Sequence, residues 1–142
     1  MKPHTSAAGM FLAGLILLIC ARSVTPLQAQ APTSKRSAKV IALDAHGGDY
    51  LQLLGGVPES VTMRSGLVIL APHHSVGKHS TNQNEEILIV LAGRGEMTFK
   101  DGHSLPVEAN HAVYCPPQTE HDVKNTGTDE LRYVYIVAAA KP

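Results

Sequence analysis

Short apolar runs, separated by glycine, proline, asparagine or aspartate, are the feature of this sequence that most restricts its fold. Outside residues 7–21, no segment repeats apolar residues at helical spacing, and strand-like runs do not alternate with helices. Strands are predicted over residues 40–43, 50–54, 61–72, 87–92, 96–100, 112–115 and 131–138. Seven or more short strands predict a single all-β domain, folded as a barrel or a sandwich.

Two of the predicted strands carry apolar side chains on both faces. Residues 87–90 read Ile-Leu-Ile-Val, and residues 133–136 alternate tyrosine with valine and isoleucine. Because successive side chains of a strand point to opposite faces, both faces of these strands must be covered, by a second sheet or by a partner subunit. Tyr114 and Cys115, at the end of another apolar run, are predicted to lie in the core.

The N-terminus resembles a targeting segment. Residues 7–21 carry no charge and follow Lys2, and this run is shorter than the roughly 20 apolar residues that a membrane span requires. We interpret it as a signal peptide cleaved after Ala29, which predicts export to the periplasm or the medium with no stable membrane insertion afterwards. The alternatives are an uncleaved anchor and lipoprotein processing at Cys20.

This interpretation divides the chain into three parts. Residues 1–29 are the signal peptide, residues 30–39 are a polar and basic flexible leader, and residues 40–142 are the folded domain. Cleavage would leave Cys115 as the one cysteine of the mature chain, so the domain cannot form an internal disulfide.

The charge balance points away from polyanionic partners. The chain has 12 basic and 12 acidic residues, and its pI is about 7.1. We therefore expect a small-molecule partner and no nucleic acid. The sequence also lacks a glycine-rich phosphate loop and a nucleophile elbow.

Histidines and glutamates are concentrated in the strand-rich centre of the chain. Six of the eight histidines lie between residues 73 and 121, together with Glu85 and Glu86. Imidazole and carboxylate groups are common ligands of first-row transition metals, so this clustering suggests a metal site. The candidate histidines are His73, His74, His79, His111 and His121.

The same region resembles the first sequence motif of the cupin superfamily. That motif runs from a glycine through two closely spaced histidines and a glutamate to a second glycine. The matching residues are Gly66, His79, Thr81, Glu86 and Gly93. Thr81 stands where the family has its second histidine.

A second cupin motif follows it in the expected order. Its glycine, proline, glycine, histidine and asparagine correspond to Asn110, Pro116, Gln118, His121 and Asn125. Both glycines are therefore replaced. Asparagine tolerates the left-handed turn conformation that glycine usually supplies, whereas Gln118 is a larger departure.

The two motifs imply a single cupin domain, a double-stranded β-helix or jelly-roll barrel, over roughly residues 66–137. Residues two apart on a strand share a face, so His79 and residue 81 would both point into the barrel. Glu86, at the start of the next strand, could face them, and His121 would close the site from across the barrel.

The resemblance implies that His79, Glu86 and His121 bind a divalent transition metal: iron, manganese, zinc, nickel or copper. Three arrangements stay open: this three-ligand site, a site completed by His73 or His74, and a metal-free pocket. The two additional histidines are otherwise expected in exposed loops, as is His111. Glu85 has the opposite strand parity from Glu86 and is expected to face solvent.

The predicted signal peptide and this resemblance together imply an exported single-domain cupin that binds a small molecule and forms a homodimer. One hypothesis is a metal-dependent oxygenase, isomerase or lyase. The alternative is a non-catalytic module that binds a small ligand, with or without metal. The sequence does not decide between an enzyme and a binding protein.

Overall fold

Antiparallel strands make up the part of the chain that this computed structural model describes, residues 36–140. Within that part there is no helix that is long and apolar enough to cross a membrane. The nine strands of these residues are β1 (Tyr50–Gly55), β2 (Arg64–Leu70), β3 (His79–Ser80), β4 (Asn84–Ala92), β5 (Arg94–Phe99), β6 (Ser104–Glu108), β7 (Ala112–Cys115), β8 (Glu120–Asn125) and β9 (Leu131–Ala139).

The strands form two sheets. One has the order β1-β2-β9-β4-β7, and the other has the order β3-β8-β5-β6. Every strand pair is antiparallel, and neighbours in a sheet are often far apart in sequence, as in the pairing of β2 with β9. This arrangement confirms the predicted all-β jelly roll.

Strand alternation explains where the core lies. On β4, Glu86, Leu88 and Val90 are buried, whereas Glu85 and Ile89 are exposed. The inward side chains of both sheets pack together between the two layers. This core contains Val68, Leu70, Leu88, Val90, Met97, Val107, Val113, Cys115, Val123, Leu131 and Tyr133.

Some predicted strands differ from the structure. Residues 40–43 form no strand, and the side chain of Val40 is fully exposed. An apolar run becomes a strand only where a neighbouring strand can pair with it, and pairing begins at Tyr50. The apolar runs did not include three of the strands, namely β3, β6 and β8. Tyr114 is also not a core residue, because it points outward and is 55% exposed.

Both residues that replace the glycines of the second motif adopt the left-handed conformation. The φ angle is 66° at Asn110 and 60° at Gln118. The amide of Gln118 donates a hydrogen bond to the carbonyl of Asn82 at 2.7 Å, which ties the two loops together. The glutamine therefore keeps the backbone turn that a glycine would make.

The predicted signal peptide, residues 1–29, lies outside the described residues, as do residues 30–35 of the predicted leader. Residues 36–39 have no regular secondary structure. Cys115 is a free and buried cysteine.

Candidate metal centre

Two histidines face each other across neighbouring strands. His79 on β3 is the direct pairing partner of His121 on β8. Directly opposed residues of an antiparallel pair point to the same face. Their ring centroids lie 4.3 Å apart, with the rings tilted by 58°.

Glu86 reaches this pair from the opposite sheet. It lies on β4, between Cys115 of β7 and Val137 of β9, and its side chain is buried. Its Oε2 atom is 3.3 Å from Nε2 of His121. One ligand atom from each of His79, Glu86 and His121 lies within 4.8 Å of the others. The structure therefore brings together the three residues that the motifs single out.

Hydrogen bonds at the far side of each ring fix the orientation of the histidines. Nδ1 of His79 lies 2.9 Å from the carbonyl oxygen of Gly77, and Nδ1 of His121 lies 3.4 Å from that of Thr119. A carbonyl only accepts, so in the neutral rings Nδ1 carries the proton. This leaves Nε2 of each ring without a proton and able to bind a cation, as in histidines that bind metals.

Nε2 of His121 is buried without a hydrogen bond. Its distance to Glu86 Oε2 is short, but the orientation of the ring does not direct an N–H at that oxygen. Burial alone lowers the pKa of His121, but the adjacent Glu86 carboxylate outweighs it, so the pKa is raised. A buried nitrogen beside a carboxylate is well suited to a cation that would satisfy both groups.

The residues fit a transition metal. A metal about 2.1 Å from each ligand requires the ligand atoms to be roughly 3.0–3.5 Å apart. The pair formed by Glu86 and His121 already meets that spacing at 3.3 Å. His79 is exposed, so its side chain has room to move the remaining distance. The set offers two imidazoles and one carboxylate, a combination that suits iron, manganese, zinc, nickel or copper.

Thr81 does not act as a fourth ligand in this arrangement. It is buried, and its hydroxyl donates to the carbonyl of Pro116 at 2.8 Å and accepts from the amide of Thr119 at 3.0 Å. The threonine thus fastens the loop before β8 to the loop before β4. Where the family has a histidine, this chain has a structural hydrogen-bonding residue.

The other histidines and Glu85 are not part of the cluster. His73 and His74 are exposed in the loop between β2 and β3. The exposed His111 uses Nδ1 to contact the carbonyl of Ala109 at 3.1 Å. Glu85 faces outward and accepts a hydrogen bond from the Tyr114 hydroxyl at 3.2 Å. Among the described residues, neither His73 nor His74 completes the site.

The cluster opens into a cavity of about 600 Å³ between the two sheets. Apolar side chains of both sheets line much of it, and its size is that of a small-molecule site. On the wall formed by β2 and β9, the polar lining includes Arg64, Tyr133 and Tyr135. Sequence reasoning missed these residues as site residues, because the alternation of tyrosine with apolar residues does not reveal which face of β9 points inward.

Gly66 makes room for two tyrosines on this wall. A Cβ atom at Gly66 would lie 2.8 Å from the rings of both Tyr50 and Tyr135. The two hydroxyls lie 2.9 Å apart and share a hydrogen bond. Burial raises the pKa of Tyr135 well above its usual range, so its hydroxyl stays protonated at neutral pH.

Cys115 lies behind the cluster. Its sulfur is 3.4 Å from Nδ1 of His121 and 3.9 Å from the sulfur of Met97. Burial, reinforced by the Glu86 carboxylate, raises the pKa of the thiol to about 11. The group is therefore a neutral packing residue, as the sequence predicts for this position.

Fold and site together define a double-stranded β-helix protein with a His-Glu-His cluster inside the barrel. The family profile described as "Cupin domain" matches residues 66–137, half of the chain, and the two sheets have the topology that this family implies. The chain belongs to the cupin domain family. The match covers the range predicted from the two motifs.

Three individual proteins that resemble this chain share at most about a third of its residues over the matched ranges. "Polyketide synthase CurC" of Streptomyces cyaneus is 31% identical over 68% of this chain, and the match spans 62% of the length of CurC. "Oxalate-binding protein" of Thermotoga maritima is 30% identical over 48% of this chain and 55% of that protein. A crystal structure of a cupin 2 conserved barrel domain protein from Salinispora arenicola is 23% identical, with a TM-score of 0.61 over 74% of this chain and 92% of that one. The last of these shows the shared fold.

Proposed function

We propose that this chain is a cupin that binds one divalent transition metal through His79, Glu86 and His121 and takes a small molecule into the adjoining cavity. The observation that carries the proposal is the convergence of the three ligand atoms within 4.8 Å of one another. The buried Nε2 of His121, which has no hydrogen-bond partner, adds to it. If Glu86 and His121 only packed against each other, with no cation between them, this nitrogen would stay without a hydrogen bond.

The chemistry of such a site depends on the metal. A bound metal would polarise a ligand oxygen as a Lewis acid or, if redox active, take part in electron transfer. The chain itself supplies two imidazoles, one carboxylate and a cavity lined largely by apolar side chains. This set of features fits a metal-dependent oxygenase, isomerase or lyase acting on a small molecule.

A second candidate is a binding protein without turnover. One relative, the oxalate-binding protein of Thermotoga maritima, is named for binding and not for a reaction. The full hydrogen-bonding of Thr81 is consistent with this candidate, because it leaves the first motif without the second histidine ligand. The same metal and cavity would then hold the ligand without converting it.

Elemental analysis of the chain, purified without chelator, tests the metal site. We expect about one transition metal per chain in the wild type and none in a His79→Ala, His121→Ala double variant. The matched control is a His73→Ala, His74→Ala double variant, which removes two exposed histidines outside the cluster. A wild-type protein that stays folded and takes up no added metal, or equal metal in all three proteins, would overturn the proposal.

We also propose that the protein is exported, on the basis of residues 1–29 of the sequence. The apolar run and the small residues that follow it are typical of a secretory signal. Mass spectrometry of the protein recovered from the periplasm or the medium would show an N-terminus at Gln30. Full-length protein that remains in the cytoplasm would contradict the proposal.

A homodimer through the outer face of the five-stranded sheet is the third element of the proposal. This face carries Ile89 and Leu91 of β4 and Tyr114 of β7, which are 38%, 40% and 55% exposed. A second copy would cover these neighbouring apolar side chains. Light scattering should give twice the chain mass for the wild type and the chain mass for Ile89→Lys. Val76→Lys, on an exposed loop, is the control. A monomeric wild type would contradict the dimer.

A further inference from the structure

The hydroxyl of Tyr133 is a polar group that the metal site does not use. Tyr133 lies on β9, paired with Val68 and Val90, and only 3% of its surface is exposed. It lines the cavity, and none of residues 36–140 forms a hydrogen bond with its hydroxyl. Its oxygen is accessible from the cavity, so a ligand there that accepts a hydrogen bond could pair with it.

This hydroxyl faces the same space as the cluster. Burial raises the pKa of Tyr133 above its usual range, and the negative charges of Glu86 and Asp122 raise it further. The phenol is therefore a donor at all ordinary pH values. It can donate to a ligand acceptor such as a carbonyl or carboxylate oxygen.

Arg64 supplies a positive charge to the same wall. Arg64 pairs with Val137, which in turn pairs with Glu86, so the three side chains point to one face of the sheet. Arg64 therefore lies two strands from Glu86, a separation of about 10 Å between their Cα atoms. Arg64 lines the cavity, and no acidic side chain among the described residues lies within 4.0 Å of it. The guanidinium is therefore available to a ligand anion.

The space between these two polar groups and the cluster is bounded largely by apolar side chains. Val68, Leu88, Val123 and Val137 line it, together with the ring of Tyr135. These side chains would contact the body of a ligand, whereas the charged group at one end would meet Arg64. The lining of the cavity therefore suits a molecule with an apolar body and an anionic end.

We propose that the cavity binds a small monocarboxylic acid with an apolar, ring-sized body, with Arg64 pairing with the carboxylate and the Tyr133 hydroxyl donating to a second ligand oxygen. The inference rests on the proposed function, since Arg64 and Tyr133 line the same cavity as His79, Glu86 and His121. Arg64 and Tyr133 are thus specificity-determining residues.

Isothermal titration calorimetry with phenylpyruvate tests this assignment. The molecule carries a carboxylate, a ketone oxygen and a ring; its methyl ester lacks only the charge, and pyruvate lacks only the ring. Phenylpyruvate should bind at least tenfold more tightly than either comparison compound. Arg64→Gln should weaken it about tenfold or more, and Tyr133→Phe about threefold or more.

Matched controls separate the site from general effects. Arg94→Gln removes an exposed arginine of β5, and Tyr114→Phe removes a tyrosine hydroxyl on the outer face of β7, so both should bind as the wild type does. Circular dichroism of each variant verifies that it is folded. Absent binding of phenylpyruvate, equal binding of its ester, or unchanged binding in folded Arg64→Gln or Tyr133→Phe would overturn the inference.

The metal content of the same samples distinguishes this inference from the proposed function. Metal-loaded protein without charge-dependent binding of phenylpyruvate overturns the ligand class and leaves the metal site standing. Metal-free protein whose binding still depends on Arg64 and Tyr133 supports the ligand class and overturns the metal site.

Discussion

His79 stands directly opposite His121 in the pairing of β3 with β8, with the ring centroids 4.3 Å apart. The two rings nevertheless differ in environment, because His79 is exposed whereas His121 is 1% exposed. His121 packs beside Cys115, and the ring of Phe99 lies further off, at 6.4 Å between centroids. His79 therefore contributes only to the candidate metal site, whereas His121 contributes both to that site and to the core.

Single alanine substitutions should separate these roles. His79→Ala should lose the metal and change the free energy of unfolding of the metal-free protein by less than about 0.5 kcal/mol. His121→Ala should lose the metal and also destabilise by about 2 kcal/mol, because it leaves a cavity in a packed region. Urea denaturation of chelator-treated protein measures both, with His74→Ala as the exposed control. Equal destabilisation by both site variants would contradict the distinction.

The stability of the metal-free protein should depend on pH through His121 and Glu86. Since the pKa of His121 in the folded protein is raised above the ordinary value of 6.5, the stability it contributes is present below that value. This contribution is lost as the pH rises through the folded pKa. The free energy of unfolding should therefore fall as the pH rises above about 6.5, relative to a Glu86→Gln variant. Parallel pH profiles for the two metal-free proteins would contradict the coupling.

Metal binding should reverse this trend. Protons and the metal compete for Nε2 of His79 and His121, so the metal-loaded protein should gain stability as the pH rises over the same range. Thermal unfolding with and without chelator measures the difference. A chelator effect that is independent of pH would show that these nitrogens are not ligands.

The strand that carries His121 shows why sequence patterns found some elements and missed others. The strands that the apolar pattern located, such as β4 and β9, bury mostly aliphatic or aromatic side chains on their inner face. On β8, the inward residues His121, Val123 and Asn125 are mostly polar, so no apolar alternation marks the strand. The apolar pattern fails on β8 because two of its three inward residues are polar: His121 belongs to the candidate metal site, and Asn125 forms hydrogen bonds in the turn after the strand.

The cupin motifs compensate for this weakness within the cluster but not along the cavity wall. His79, Glu86 and His121 occupy motif positions, so they could be named before their strands were known. Arg64 and Tyr133 belong to no motif, and their place depends on the register of β2 with β9. A shift of one residue in that register would place the two side chains on opposite faces of the sheet.

Thr81 should be more important for stability than for metal binding. Thr81→Val keeps the shape of the side chain but leaves the carbonyl of Pro116 and the amide of Thr119 without their partner. We expect a loss of about 2 kcal/mol in the free energy of unfolding, with the metal content unchanged. Thr81→Ser, which retains the hydroxyl, is the control and should lose less than half as much.

A reverse experiment asks whether the family's histidine would restore a fourth ligand. Thr81→His should destabilise the protein at least as much as Thr81→Val, because the imidazole cannot make both short hydrogen bonds in the same place. We expect no gain in metal affinity, measured by competition with a chromogenic chelator. Tighter metal binding in a stable Thr81→His variant would show that the threonine only fills a vacant ligand position.

Gln118 offers a stabilising substitution at the turn before β8. Its φ angle of 60° is unfavourable for any residue with a Cβ atom, by about 1–2 kcal/mol, whereas glycine adopts it freely. The greater freedom of glycine in the unfolded chain cancels part of that gain, so Gln118→Gly should stabilise the protein by about 0.5–1 kcal/mol. Gln118→Ala retains the backbone strain and should give no gain in stability. Asn110→Gly should stabilise the protein less than Gln118→Gly does, because asparagine tolerates a φ of 66° better than glutamine tolerates 60°. Urea denaturation measures all three. Destabilisation by Gln118→Gly equal to that by Gln118→Ala would mean that the glutamine side chain, and not its backbone angle, decides the stability of this turn.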